Sequence, residues 1–259
     1  MNVLKLESID AAPWGPPALL RDINLNLNSG EILGIIGPNG AGKTSLLHTM
    51  AGDIIPTKGK LHLMGENLSH WSPRLKAQKV AVLPQLSPLT FPYRVEEVIL
   101  LGRTPHSSGH TEDRVILQEV MEATDTSRLQ HRIYTQLSGG EKQRVQLARV
   151  FAQIWRADND QPRLLLLDEP TAALDLAHQQ LILAALRGLV ARHCAVVIVA
   201  HDFNLVTAIA DQITVMCCGE QIAQGSCEEV VTPDVFSRVF GVDVTIIPHP
   251  TSGQPFVLY

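Results

Sequence analysis

Glu31-Ile32-Leu33-Gly34-Ile35-Ile36-Gly37-Pro38-Asn39-Gly40-Ala41-Gly42-Lys43-Thr44 is the stretch that decides the fold. Residues 31–36 are an apolar run that reads as a buried strand, and it enters the pattern G-x-x-x-x-G-K-[ST] directly. Gly37, Gly40 and Gly42 permit a tight turn that aims backbone N–H groups at one point. The helix expected over 43–51, ended by Gly52, adds its N-terminal dipole there, which suits a phosphate. In such a loop Lys43 reaches the β- and γ-phosphates of a nucleotide, and the Thr44 hydroxyl coordinates Mg²⁺. Average composition alone yields the pattern in on the order of one chain in a hundred, so its placement between a strand and a helix is what gives it weight.

Outward from that loop, residues 3–9 and 24–28 alternate apolar and polar side chains, the pattern of half-buried strands, and short strands are expected at 60–64 and 79–83. Together they make a β-rich subdomain around a nucleotide-binding core. Residues 95–124 turn helical, interrupted by a polar loop at 104–109, and 140–155 form a long helix. Near-continuous apolar strands at 163–167, 195–199 and 212–217 alternate with helices at 176–192 and 203–210. That alternation predicts a parallel sheet covered on both faces. From Val242 onward, Pro248, Pro250 and Pro255 indicate extended strand and loop.

At 259 residues the chain suits one large α/β domain or two small ones. The net charge is −5 and no block of Lys and Arg occurs, which disfavours a nucleic-acid partner. No apolar run approaches the length of a membrane span, and the N-terminus reads as a strand rather than a signal peptide. The four cysteines lack a C-x-x-C spacing and read as reduced thiols in the core; Cys217-Cys218 is expected to split across the two faces of a strand. His106 and His110 flank Ser107-Ser108-Gly109 and read as exposed loop histidines.

Leu164-Leu165-Leu166-Leu167-Asp168-Glu169 is a buried strand ending in two carboxylates, and Pro170 stops it. A strand of that kind delivers Asp168 to the sheet edge beside the phosphate loop, where it can hold Mg²⁺ through water. Glu169 then faces the attacking water, within the positioning chemistry of phosphoryl transfer. Between the two halves of this site lies Leu137-Ser138-Gly139-Gly140-Glu141, followed by Lys142-Gln143-Arg144 and Leu147-Ala148-Arg149. Ser138, Gly139 and Gly140 start a helix, so their N–H groups and the serine hydroxyl form a second anion cradle.

That whole run resembles the signature of ATP-binding cassette (ABC) ATPases, and the similarity covers about residues 1–240. The resemblance implies an α/β fold: a P-loop NTPase cassette with a RecA-like core, an antiparallel β-subdomain and a helical signature subdomain. It implies one ATPase domain over 1–241, with the helical subdomain at about 86–155, and a C-terminal extension over 242–259. The cofactors implied are ATP and Mg²⁺. Gly37, Pro38, Asn39, Gly40, Ala41, Gly42, Lys43, Thr44 and Ser45 would hold the phosphates, and Ser138, Gly139 and Gly140 would close on ATP held by a second copy. Gln85 matches the glutamine that touches Mg²⁺ and the water, so Thr44, Gln85 and Asp168 form the metal set. Glu169, His201 and Gln85 are the catalytic set, His201 resembling the switch histidine at the γ-phosphate. Asp175 matches the loop through which protomers meet. Trp14 has two readings, a ring stacked on adenine or a cover for the β-subdomain's edge.

Among these ATPases the chain is most similar to subunits of bacterial importers for iron chelates, haem and vitamin B12. Ala152-Gln153-Ile154-Trp155 with the polar insert after it, and Leu101-Gly102-Arg103-Thr104-Pro105-His106, lean towards haem import. The implied setting is a homodimer, peripheral on the cytoplasmic face of the inner membrane. Its partners would be integral-membrane permease subunits and, indirectly, a periplasmic substrate-binding protein. A groove lined by residues 85–97 would receive a permease helix. Ferric siderophore and vitamin B12 are the alternative cargoes, and a soluble non-transport ABC ATPase is the alternative class.

Overall fold

The computed structural model describes residues 1–259 except Trp14, Pro16, residues 86–88, residues 157–160 and Tyr259. Among the described residues the main sheet has ten strands. The chain enters it through β1 (Asn2–Ala11) and β2 (Leu20–Asn28), then β3 (Ile32–Ile36), helix α1 (Lys43–Ala51), β4 (Lys58–Leu63) and β5 (Glu66–Asn67). Helix α2 (Pro73–Lys79), β6 (Val80–Leu83), α3 (Val95–Leu100), α4 (His110–Ala123) and α5 (Gly139–Ile154) follow. Next come β7 (Arg163–Asp168), α6 (Leu176–Val190), β8 (Cys194–Val199), α7 (Phe203–Thr207), β9 (Gln212–Cys217) and β10 (Glu220–Gly225). The chain finishes with α8 (Cys227–Val230), α9 (Pro233–Phe240) and a separate hairpin of β11 (Thr245–Pro248) and β12 (Pro255–Leu258).

In space the strands run β5-β4-β1-β2-β10-β9-β3-β8-β7-β6. The first four pair antiparallel, whereas β6, β7, β8, β3 and β9 are parallel throughout. The expected β-subdomain and parallel core are therefore two regions of one sheet, joined where Glu220 of β10 meets Arg21 of β2.

Alternation along the strands divides the core in two. Leu164 and Leu166 face the layer that holds α1, while Leu165 and Leu167 face the layer that holds α5 and α6. β8 does the same, with Ala195, Val197 and Val199 on one side and Cys194, Val196 and Ile198 on the other. A strand covered on both faces favours apolar residues at successive positions rather than alternate ones, which is why four leucines in a row fold here as a strand between the terminal Arg163 and Asp168. Each such leucine contributes about 1.5–3 kcal/mol by leaving water.

Several boundaries differ from the expectations. β2 starts at Leu20 rather than 24, because Asp22 is turned left-handed and held through its N–H by Asp10, so the strand keeps pairing through an irregularity. α2 was hidden by its polarity: Ser72 caps it and Pro73 opens it, but no residue in it is fully buried. β10 returns antiparallel to β9, and its mixed sequence gave little sign of a strand.

Two readings need correction. Cys217 and Cys218 do not pack in the core on opposite faces. Cys218 is exposed in the turn after β9 with a positive φ, and this brings its sulfur to 3.7 Å from that of Cys217. Cys194 and Cys227 are buried, as a core reading requires. His106 is half-buried rather than free in solvent, its Nε2 lying 2.7 Å from the Gln153 carbonyl oxygen, while His110 is exposed at the start of α4.

Candidate nucleotide site

Strand register assembles the site. Leu83 pairs with Leu167, Asp168 with Val199, and Val199 in turn with Ile35. Four parallel strands thus end level. Gln85, Glu169, His201 and Gly37 each emerge within two residues of those aligned ends, at the carboxyl edge where open α/β sheets bind ligands.

The phosphate loop leaves β3 through Gly37, where a side chain could not fit: a Cβ would lie 2.2 Å from the Met216 carbonyl oxygen. The loop ends at Gly42, the N-cap of α1. Lys43 is only 7% exposed, and its ammonium donates to the carbonyls of Gly37 (2.7 Å) and Pro38 (3.0 Å), which holds it across the loop. Burial lowers its pKa, while the Glu169 and Asp168 carboxylates oppose that shift. Thr44 Oγ1 donates to Asp168 Oδ2 at 2.8 Å, so the first turn of α1 is tied to the end of β7.

Asp168 is 2% exposed, and its Oδ1 is buried without a hydrogen-bond partner among the described residues. Burial raises its pKa; the Thr44 hydroxyl opposes this and the neighbouring Glu169 charge adds to it. A buried carboxylate with a spare oxygen next to a hydroxyl is a donor set for a hard cation, so these residues fit Mg²⁺. The fit rests on the orphaned oxygen, since an uncompensated buried polar atom is costly.

Glu169 departs from the strand with φ +50°, a left-handed conformation unusual for a glutamate. Its N–H donates to the Val199 carbonyl at 2.8 Å, which fixes that backbone. Glu169 Oε1 then accepts from Gln85 Nε2 at 3.1 Å and lies 2.8 Å from His201 Nε2. Carboxylate, amide and imidazole from three strand ends converge on one point. Such a cluster can orient a water and accept its proton.

Ser138 is the N-cap of α5, and with Glu141 it forms a capping box: the Glu141 N–H donates to Ser138 Oγ, and the Ser138 N–H donates to Glu141 Oε2 at 2.8 Å. One of the three N–H groups expected in the second cradle is thereby taken. Gly139 has open space where a side chain would be, and a Cβ on Gly140 would lie 2.9 Å from the Ala173 carbonyl oxygen. Asp175 caps α6 through the His178 N–H at 2.9 Å, and its side chain is exposed. Trp14 lies outside the described residues, as do residues 86–88 of the groove expected over 85–97.

Sequence reasoning missed four contacts. Gln143 Nε2 donates to the Pro170 carbonyl at 3.0 Å, which ties the signature helix to the segment that carries Glu169. His178 bridges two carboxylates, with Nδ1 2.8 Å from Asp175 and Nε2 3.3 Å from Asp125, and Arg144 donates to Asp125 Oδ2 at 2.8 Å. Apart from the local His178–Asp175 contact, nothing in the local sequence marks these pairs, since their partners lie 19 to 53 residues away.

A phosphate loop, a strand-end acid pair and a capped glycine helix define a nucleotide-hydrolysing cassette, and the chain belongs to the ABC transporter family, whose model matches residues 20–172. It binds ATP and hydrolyses it to power transport. The chain is 49% identical over 242 residues to "Hemin import ATP-binding protein HmuV" of Gloeobacter violaceus, covering 93% of this chain and 88% of that protein. It is 41% identical over 256 residues to the protein of the same name from Pseudomonas aeruginosa, covering 99% of each. Among solved structures, a metal-chelate type ABC transporter in an inward-facing conformation matches with a TM-score of 0.79 at 25% identity, covering 100% of this chain and 98% of that one. An ATP-binding subunit of an ABC transporter also matches with a TM-score of 0.79 at 21% identity, covering 93% and 94%, a likeness of fold. No helix among the described residues is long and apolar enough to cross a membrane.

Proposed function

We propose that this chain is the ATP-hydrolysing subunit of a bacterial haem importer, working as a homodimer on the cytoplasmic face of the inner membrane. Integral-membrane permease subunits would supply the membrane spans, and a periplasmic binding protein would deliver the cargo. The observation that carries the catalytic half is the convergence of Gln85 and His201 on Glu169, one residue from an Asp168 whose buried Oδ1 has no partner among the described residues. The cargo rests on the relatives named for hemin import.

In this reading Gly37 to Ser45 cradle the phosphates, and Lys43 exchanges its loop carbonyls for phosphate oxygens. Thr44, Asp168 and Gln85 would hold Mg²⁺, which neutralises phosphate charge when bound. Glu169 orients the attacking water and takes its proton, while His201 holds Glu169 in place and reaches the γ-phosphate. Ser138, Gly139 and Gly140 of one protomer would meet the nucleotide of the other, with Asp175 at the contact between them. Trp14 would stack on adenine, so ATP should perturb tryptophan fluorescence in the wild type but not in Trp14→Ala. The domain is read as 1–241, with a helical subdomain at about 86–155 and the extension at 242–259.

Reconstitution of the chain with its permease in liposomes tests the assignment. ATP hydrolysis stimulated by haem-loaded binding protein supports it. Stimulation only by ferric-siderophore or vitamin B12 carriers would move the cargo, and full activity without any permease would favour a soluble ATPase.

A further inference from the structure

The turn between β9 and β10 has no part in the hydrolysis chemistry, yet it is bonded to the phosphate loop. Cys217 closes β9, and its thiol donates to the Cys218 sulfur at 3.7 Å. Cys218 is exposed with φ +51°, a left-handed conformation that swings its side chain back towards Cys217. Gly219 follows at φ +80°, packed so closely that a Cβ would lie 2.4 Å from the Leu19 carbonyl oxygen. Its N–H donates to the Ala41 carbonyl at 2.9 Å, and Ala41 lies inside the phosphate loop. On the other side, the Arg21 N–H donates to the Gly219 carbonyl (2.9 Å) and the Arg21 guanidinium to the Cys218 carbonyl (3.0 Å). The turn is pinned at both ends, so a change within it reaches the loop.

We propose that Cys217 and Cys218 form a reversible redox-modification site, in which a hydroperoxide closes the vicinal dithiol to a disulfide and the distorted turn disturbs the phosphate loop through Gly219 and Ala41. Cys218, the exposed thiol, attacks first. Its thiolate takes the terminal oxygen of the hydroperoxide, giving a sulfenic acid and releasing the alcohol, or water when the oxidant is hydrogen peroxide. The Cys217 sulfur then attacks the Cys218 sulfur and loses its proton, and the sulfenic oxygen leaves as water. Two thiols are oxidised, one peroxide bond is reduced, and a dithiol reductant restores the pair.

Adjacent α-carbons are about 3.8 Å apart, closer than the span of about 4.4 Å or more that an unstrained disulfide prefers. The oxidised turn must therefore shift its backbone, and a strained bond of this kind is readily reduced, as suits a switch rather than a staple. The other two cysteines do not compete. Burial pushes the Cys194 thiol up to about 12 and raises Cys227 as well, so both remain protonated and enclosed.

The test treats the reduced full-length protein with hydrogen peroxide and follows intact and peptide masses alongside ATP affinity. Loss of two hydrogens confined to the peptide containing both residues, reversed by dithiothreitol, is expected. ATP binding should weaken about two- to tenfold on oxidation, the scale of one disturbed backbone hydrogen bond. Cys217→Ser should stop at a trappable sulfenic acid on Cys218, and Cys217→Ser/Cys218→Ser should bind ATP identically before and after peroxide. Sulfinic acid or intermolecular dimers in place of the internal two-hydrogen loss would overturn the site. An internal disulfide with unchanged ATP affinity would overturn the link to the loop. Failure of the reduced wild type to bind ATP would count instead against the nucleotide assignment.

Discussion

His201 Nε2 lies 2.8 Å from Glu169 Oε1, although the residues are 32 apart in the chain and leave different strands. The same oxygen accepts from Gln85, so the carboxylate is held from two sides before any nucleotide arrives. Glu169→Gln keeps the shape and loses the base. Turnover should fall by about 10²–10⁴-fold while ATP binding persists and a nucleotide-bound dimer accumulates. Single-turnover hydrolysis together with size-exclusion chromatography measures both; near-normal turnover would remove Glu169 from its role.

Lys43 spends its charge on two loop carbonyls, which a phosphate must outcompete. Removing it in Lys43→Ala should weaken ATP binding by about ten- to a hundredfold, the worth of a charge-assisted hydrogen bond. Calorimetry reads this directly, and unchanged affinity would refute the assignment.

Asp168 gives a pH dependence with a definite sign. Burial raises its pKa, so the metal-free fold prefers the protonated acid. That preference is fully present below the ordinary carboxylate value and fades as pH climbs through the raised one. Asp168→Asn should therefore melt higher than wild type above that window, converge with it in acid, and hydrolyse no ATP. Thermal melts across pH, without metal and with Mg²⁺, check it; Mg²⁺ should stabilise only the wild type.

The α5 cap behaves oppositely. The Ser138 N–H holds the Glu141 carboxyl below its usual range. Its contribution is complete above the ordinary carboxylate value and is lost as pH falls through the depressed one. Glu141→Ala, which removes the carboxylate that the Ser138 N–H holds, should cost about 0.3–1.5 kcal/mol of stability near neutrality. Urea titration measures it, and a loss unchanged down to strong acid would discount the box.

Leu165 is fully buried between β7 and the helices over it. Leu165→Ala should destabilise the fold by about 2–5 kcal/mol through the cavity it leaves. Denaturant unfolding of the two proteins decides it.

The parts legible in sequence were those with local physical causes. The loop from Gly37 to Lys43 and the helix after it are set by glycine conformations and hydrogen bonds a few residues apart, and α1 spans Lys43–Ala51 as expected. β7 and β8 announced themselves because burial on both faces makes Leu164 to Leu167 and Ala195 to Val199 unbroken apolar runs. α2 and β10 did not, since neither carries the periodic apolar face by which an element is recognised. Cys218 was misjudged for a related reason: its adjacency to an apolar strand was visible, but the left-handed turn that exposes it depends on Gly219 fitting against Leu19.

By itself the amino-acid order determined which chemical groups this protein owns: a glycine cradle with its lysine, an acid pair after a leucine strand, and a serine-capped glycine helix. Those follow from near-neighbour sterics and hydrophobic alternation. Only the tertiary structure decided that Gln85, Glu169 and His201 meet at one oxygen, that Asp168 keeps another without a partner among the described residues, and that Gln143 ties the signature helix to the segment carrying Glu169. Strand order and register set those distances, and they come from packing between segments far apart in the chain, where no local pattern reaches.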